Sequence, residues 1–296
     1  MNKKGWVIYN GNLAGNKFLD YAEMIQAAAS AKNLEITIMK NNELLSLLSK
    51  DILEIVSFAE RELPDFAVFA DKDIYLAKQL ELVGVKVFNS AEAIEISDDK
   101  IATYQHLAVS RLPIPRTIIA PKVFYSGQLE ETLLDKVIRE IRLPMIIKEA
   151  YGSFGEQVYL LHSKEAIHKK MEEIQGKAYL FQEFVPESYG RDLRLQVVGS
   201  KVVAAMERNN RNDFRANVTA GGSMSSYTPS QSESDLAVAA ASAIKADFAG
   251  VDLLIGPDNT RIVCEVNSNA HIRNLLECTG VNAADYIIDY ILEALS

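Results

Sequence analysis

Asp252, Glu265 and Asn267 flank the segment Gly256-Pro257-Asp258-Asn259-Thr260. That segment is rich in residues that favour chain reversal, so residues 250–255 and 261–267 are expected to pair as a hairpin. Folded symmetrically about the Asp258–Asn259 bond, the hairpin sets Asp252 directly across from Glu265. Asn267 joins the face of Glu265, because residues two apart on a strand share a face. Opposed carboxylates repel by about 0.2–1 kcal/mol, and by more when buried. Leu254 and Val263 beside them argue for partial burial. A hard divalent cation removes the repulsion; an all-oxygen donor set suits Mg²⁺, with Mn²⁺ as a substitute. The alternative is an exposed acidic face with Arg261 or Arg273 as counter-ion, and residue types alone leave both readings open.

The remaining chemistry-bearing residues are mostly cationic. Lys148 ends the apolar run Pro144-Met145-Ile146-Ile147, where a lysine is costly unless its charge has a partner. The loop after it, Tyr151-Gly152-Ser153-Phe154-Gly155, can bring backbone N–H groups close to a phosphate, since glycine tolerates the φ values this needs. A plain hairpin turn, with Lys148 reaching for water, is the competing reading. Alternation in Asp192-Leu193-Arg194-Leu195-Gln196-Val197 places Asp192, Arg194 and Gln196 on one strand face. Arg208 and Arg215 follow. The three arginines either converge on an anionic ligand or form surface pairs with Asp192, Glu207 and Asp213. Asp98-Asp99-Lys100 by itself reads as a solvated charge run on a helix. Gly11-Asn12-Leu13-Ala14-Gly15-Asn16-Lys17 misses the P-loop spacing and has Asn before the Lys; it reads as a loop at the end of a first strand. No Ser–His–Asp or Cys–His nucleophile is apparent. His162 and His168 read as surface residues, and His271 as a candidate acceptor-site residue.

An α/β frame must position these groups. In the first third, expected strands at 6–9, 35–39, 66–70 and 85–88 alternate with expected helices at 17–32 and 75–83, the pattern of a parallel sheet with helices on its faces. One long helix over 91–110 is expected to end before Pro113 and Pro115. The order then changes to hairpins of 145–149 with 158–162 and of 192–198 with 201–207. A strand is expected over 179–185, and helices over 164–175, 232–246 and 283–295. The formal net charge of −9 disfavours non-specific binding to nucleic acid or anionic membrane. Cys264 and Cys278 are too few for a disulfide framework and lack metal-type spacing. With no signal-like N-terminus and no run near the ~18–20 apolar residues of a membrane span, a cytoplasmic protein is expected.

Taken in order, these segments resemble the ATP-grasp superfamily and, within it, the RimK-like amino-acid ligases. The likeness covers roughly residues 96–295. Its strongest parts are Phe214-Arg215-Ala216-Asn217, Gly250-Val251-Asp252 and Glu265-Val266-Asn267. It implies an α/β (α+β ATP-grasp) fold in three parts: an N-terminal parallel-sheet domain (1–96), a central subdomain with the glycine loop (97–180), and a C-terminal subdomain with the metal and substrate site (181–296). It implies ATP and Mg²⁺ as cofactors. By resemblance, Lys100 and Lys148 neutralise phosphates, and Ser153 and Gly155 belong to the loop that closes over them. Gln182, Glu183 and Phe184 form the adenine hinge, the last two through backbone groups, and Asp192 is the nucleotide-binding aspartate. Arg215 and Asn217 contact phosphate and transition state, with Arg194 and Arg208 beside the acyl carbon. Asp252, Glu265 and Asn267 are the Mg²⁺ ligands.

The activity implied is ATP-dependent joining of an amino acid, glutamate or a relative, to a small-molecule or peptide carboxylate through an acyl phosphate, in a homo-oligomer. Another ATP-grasp ligase of a small metabolite and a non-catalytic ATP-binding regulator are the alternatives. Two departures bear on substrate. Ala216 stands where the family usually has Ser, and Ser268-Asn269-Ala270-His271-Ile272 follows Glu-Val-Asn without the family's small residue, Ser, Pro and Gly.

Overall fold

The computed structural model describes residues 3–58, 62–122, 130–153, 155–216 and 221–296. Its first part runs β1 (Lys4–Tyr9), α1 (Lys17–Ser30), β2 (Glu35–Lys40), β3 (Leu44–Leu48), β4 (Leu53–Ser57), β5 (Phe66–Ala70), α2 (Ile74–Leu82) and β6 (Lys86–Phe88). Strands β2-β1-β5-β6 form a parallel sheet. Both of its faces are covered, as the near-continuous apolar strands require. Val7, Phe66 and Val68 point to α1, while Ile8, Ala67 and Phe69 point to α2. Strands β3 and β4 pair as a hairpin that the sequence reading passed over.

The expected single helix over 91–110 is two helices, α3 (Ala91–Asp98) and α4 (Lys100–Val109). Asp99 is non-helical, and its carboxylate accepts hydrogen bonds from the amides of Ile101 and Ala102 at 2.8 and 3.3 Å. The charge run is therefore a helix start, a position that favours Asp because a side-chain oxygen satisfies orphan N–H groups.

The second sheet, β7-β10-β8-β9, comprises β7 (Thr117–Ile119), β8 (Met145–Glu149), β9 (Val158–Leu161) and β10 (Tyr179–Glu183), all antiparallel. Helices α5 (Glu131–Ile141) and α6 (Lys164–Glu173) cover one face, against Met145, Ile147 and Phe181. Because side chains alternate, Ile146, Lys148 and Gln182 fall on the other face.

The third sheet follows the order β13-β12-β11-β14-β15, from β11 (Arg191–Val198), β12 (Lys201–Asn209), β13 (Ser223–Ser226), β14 (Phe248–Ile255) and β15 (Arg261–Asn267). Helix α7 (Gln231–Ala243), between β13 and β14, packs with α4 on the face of Leu193, Leu195, Val251 and Leu253. The chain ends in α8 (Arg273–Thr279) and α9 (Ala283–Ala294). These return to the first part: Ile287, Ile288 and Ile291 share one core with Ala22, Ile25 and Ala29 of α1. Asn89, fully buried after β6, ties the first sheet to the third. Its Nδ2 donates to the carbonyls of Phe248 and Ser268 at 2.9 and 3.0 Å, and its Oδ1 accepts from the amides of Asp247 and Phe248 at 2.6 and 3.1 Å. No described helix is long and apolar enough to cross a membrane.

Candidate active site

Asp252 pairs with Glu265 across β14 and β15, as expected, but not through a symmetric turn. The turn is a short 3₁₀ segment, Pro257–Asn259, in which Asp258 and Asn259 have φ of 53° and 60°. Near the turn Leu253 pairs with Val263, so Cys264 is left over as a bulge before Glu265 meets Asp252. Bulges re-aim side chains beside functional sites. Here Cys264 offers its carbonyl to the Tyr104 hydroxyl at 2.6 Å and sets its sulfur 3.8 Å from Lys148 Nζ.

Neither Arg261 nor Arg273 is the counter-ion of the acidic pair; they bind Glu233 and Asp20. Arg194 and Arg208 take that role. Arg194 grips both oxygens of Asp252, with Nη2 to Oδ2 at 2.7 Å. Arg208 binds Asp192 through two bonds of 2.7 and 2.6 Å and reaches Asp252 Oδ2 at 2.9 Å. Burial alone would raise the Asp252 pKa, but Arg194 and Arg208 outweigh it and hold the group ionised. At Asp192, burial and the neighbouring Asp252 charge prevail over Arg208 and raise the pKa. Gly250 is required beside this network: a Cβ there would lie 2.5 Å from Ala270 Cβ and 3.0 Å from Arg194 Cδ.

Lys148 is buried, with Nζ 3.0 Å from the Tyr104 hydroxyl. Burial disfavours its charge, but the Cys264 sulfur, the Tyr104 oxygen and the Glu265 carboxylate more than compensate and keep it protonated. Lys100 donates to the Gly152 carbonyl at 2.9 Å. Burial lowers its pKa, partly offset by Glu265. Tyr104 went unnoticed in the sequence, although it lies four residues after Lys100 and thus on the same helix face. Gln182 donates to Thr117 Oγ1 at 2.8 Å, with its oxygen 3.2 Å from the Tyr104 hydroxyl. The Glu183 amide is committed to the Arg116 carbonyl at 2.9 Å, so a hinge contact through that N–H is not available.

Lys100, Lys148, Gly155, Gln182, Glu183, Phe184, Asp192 and Arg215 all border one cavity, walled on its apolar sides by Ile146 and Leu254. A second cavity, of about 550 Å³, opens beside it and is bordered by Ser153, Arg194, Arg208, Asn267 and His271. The two share Gly152, Asp252 and Glu265. The three arginines therefore do not converge. Arg194 and Arg208 border the second cavity, and Arg215, clasped by Asp213, donates to the Gly155 carbonyl at 2.6 Å beside the first. Lys72, also missed, binds Asp98 at 2.6 Å and Ser153 Oγ at 3.2 Å. Asn217 and Phe154 lie outside the described residues.

Among the described residues there is no group of three or more His, Cys, Asp or Glu side chains fit for a metal; the predicted donor set is two carboxylates and an amide. It fits a hard cation. A carboxylate has about four lone-pair sites; the two arginines use both on Asp252 Oδ2 and one on Oδ1, which leaves one on Oδ1. Asn267 donates only its Nδ2, to the Gly250 carbonyl at 3.5 Å, so its oxygen remains for a ligand.

This architecture, a basic cavity between two antiparallel sheets beside an acidic hairpin, is that of an ATP-grasp ligase. Residues 97–291 match the RimK-like ATP-grasp domain, and the chain belongs to that family. It is 36% identical to a probable α-L-glutamate ligase of Haemophilus ducreyi over 74% of this chain and 68% of that one. It is 30% identical to β-citrylglutamate synthase B of Danio rerio over 77% of this chain and 56% of that one. The fold also superimposes on the ATP-grasp ligase PsnB, solved with a phosphomimetic variant of its minimal precursor, Mg and ADP, with a TM-score of 0.71 at 17% identity and full coverage of both chains.

Proposed function

We propose that the protein joins glutamate or a related amino acid to the carboxylate of a small molecule or peptide, with ATP cleaved to ADP and phosphate. The observation that carries this reading is the seam: two polar cavities that meet at Gly152, Asp252 and Glu265. ATP occupies the first cavity, its base between Ile146 and Leu254 near Phe184 and its phosphates toward Lys100, Lys148 and the glycine loop. The acceptor carboxylate enters the second. One of its oxygens attacks the γ-phosphorus and ADP leaves. The amine then attacks the acyl carbon, phosphate departs and the amide remains. Such phosphoryl transfer asks mainly for positioning and charge neutralisation. Asp252, Glu265 and Asn267 would hold Mg²⁺, which would supply positive charge to offset that of the phosphates. Arg194 and Arg208 face the second cavity, where oxyanion charge develops at the acyl carbon and preorganised donors count most. The glycine loop, fastened at Ser153 by Lys72 and at Gly155 by Arg215, shields the acyl phosphate from water. The reading is supported by the family and by the relatives named as glutamate-adding enzymes.

The test is Mg-dependent ADP release over a panel of amino acids and carboxylates, with products identified by mass. Glu265→Gln keeps the side-chain shape and leaves the arginine pairs of Asp252 intact. It is expected to cut turnover by at least about 100-fold. Wild-type turnover in that variant removes Glu265 from the metal site, and ADP release without any amide product rejects the ligase reading.

A further inference from the structure

The second cavity has two polar ends of opposite sign. At one end Asp71, 8% exposed, follows β5, and its oxygens accept from Asn10 Nδ2 at 3.1 and 3.2 Å. Asn269 donates Nδ2 to the Asp71 carbonyl at 2.6 Å, while its buried Oδ1 has no hydrogen-bond partner among the described residues. An unmet buried acceptor is destabilising, so this end lacks a donor. Burial raises the Asp71 pKa, and Asp73 and Asp98 reinforce the local negative potential. At the other end stand Lys17, on the first turn of α1, and His271, whose ring lies 5.4 Å from that of Phe18. Burial of His271 and the partial burial of Lys17 lower their pKa values, and the Arg194 charge lowers each further. Lys17 and the nearby Arg194 make this end positive, and His271 stands there neutral.

We propose that this cavity seats the amine substrate as an acidic amino acid held at both ends, its ammonium between Asp71 and Asn269 and its side-chain carboxylate at Lys17 and His271. The assignment rests on the ligase reading. An α-carboxylate is one carbon from the ammonium and must accompany it. A positive pole built on a different element, α1 rather than β5, therefore reads the remote charge. Asn10, Lys17 and Asp71 precede the segment that matches the family, and Asn269 and His271 lie in the stretch that departs from its usual sequence.

The experiment is steady-state ADP release with glutamate, aspartate and the neutral isostere glutamine, for wild type, Lys17→Met and Asp71→Asn. Lys17→Met is expected to raise KM for glutamate about tenfold or more and to shrink the glutamate-to-glutamine preference by the same factor, with KM for ATP unchanged. Asp71→Asn is expected to raise KM for all three amino acids together. An unchanged preference in Lys17→Met, or a rise in KM for the carboxylate acceptor instead, overturns the assignment while the ligase reading stands. If wild type forms no amide with any of the three, both fall. Lys17 is exposed, so its variant keeps the fold and decides the question even if Asp71→Asn does not fold.

Discussion

At the scale of single residues, His271 gives a pH prediction with a definite sign. Its folded pKa is about 4, below the ordinary 6.5, through burial and the charges of Lys17 and Arg194. The unfolded chain therefore binds more protons between those values, and stability rises with pH across that window. His271→Gln removes this dependence. Melting curves from pH 7 to pH 4 are expected to fall less steeply in the variant, by up to roughly 3 kcal/mol at the acid end; parallel curves would contradict the assignment. Gly250→Ala drives a Cβ into Ala270 and Arg194, so it is expected to cost about 1–3 kcal/mol by overpacking, measured by denaturant midpoint, and to lower turnover with it. The opposition of Asp252 and Glu265 was expected from a symmetric turn, and it holds because two departures cancel: the turn pairs Leu253 with Val263, one position off that symmetry, and the extra residue Cys264 restores it. The bulge at Cys264 was not, since nothing in residue type marks which strand carries an extra residue. Arg261 and Arg273 were wrong candidates as counter-ions because sequence proximity says little about which charges meet across a sheet.

At the scale of elements, the break between α3 and α4 hid inside a helical pattern. Asp-Asp-Lys reads as surface charge until Asp99 is seen to bind two amides. Asp99→Ala is expected to cost about 1 kcal/mol, read as a lower melting temperature, and to raise KM for ATP because Lys100 opens the same helix. The glycine loop is an element of another kind, anchored by Lys72 just after β5 of the first sheet and by Arg215 in the connection between β12 and β13 of the third. Arg215→Ala loses one anchor. It is expected to raise ADP release relative to amide formed, as water reaches the acyl phosphate; an unchanged ratio of the two products would show that Lys72 suffices. The hairpins β8–β9, β11–β12 and β14–β15 were legible from alternation and turn residues. The hairpin β3–β4 was not, for its leucines are largely exposed and follow no buried face.

At the scale of the molecule, the change from a parallel sheet to hairpins was readable from the strand–helix pattern, and the division of the hairpins between two further sheets was suggested only by the family resemblance. How they are fastened was not, because the fasteners are long-range and polar. Asn89 is the clearest case, with four bonds to segments more than 150 positions away. Asn89→Ala takes these partners from the backbone groups of Asp247, Phe248 and Ser268 beside the third sheet and is expected to cost on the order of 2–4 kcal/mol. Hydrogen exchange should then show faster opening of the first sheet relative to the third. A uniform loss of protection would argue against a local fastening role.

The packing of α9 onto α1 sets the order in which this protein can mature. A chain emerging from the ribosome exposes Ala22, Ile25 and Ala29 to water long before Ile287, Ile288 and Ile291 are made. The amino-terminal third therefore stays incomplete until the segment that forms α9 has been made. A chain cut short before α9 would carry that stripe uncovered and is expected to aggregate more readily than one that includes it.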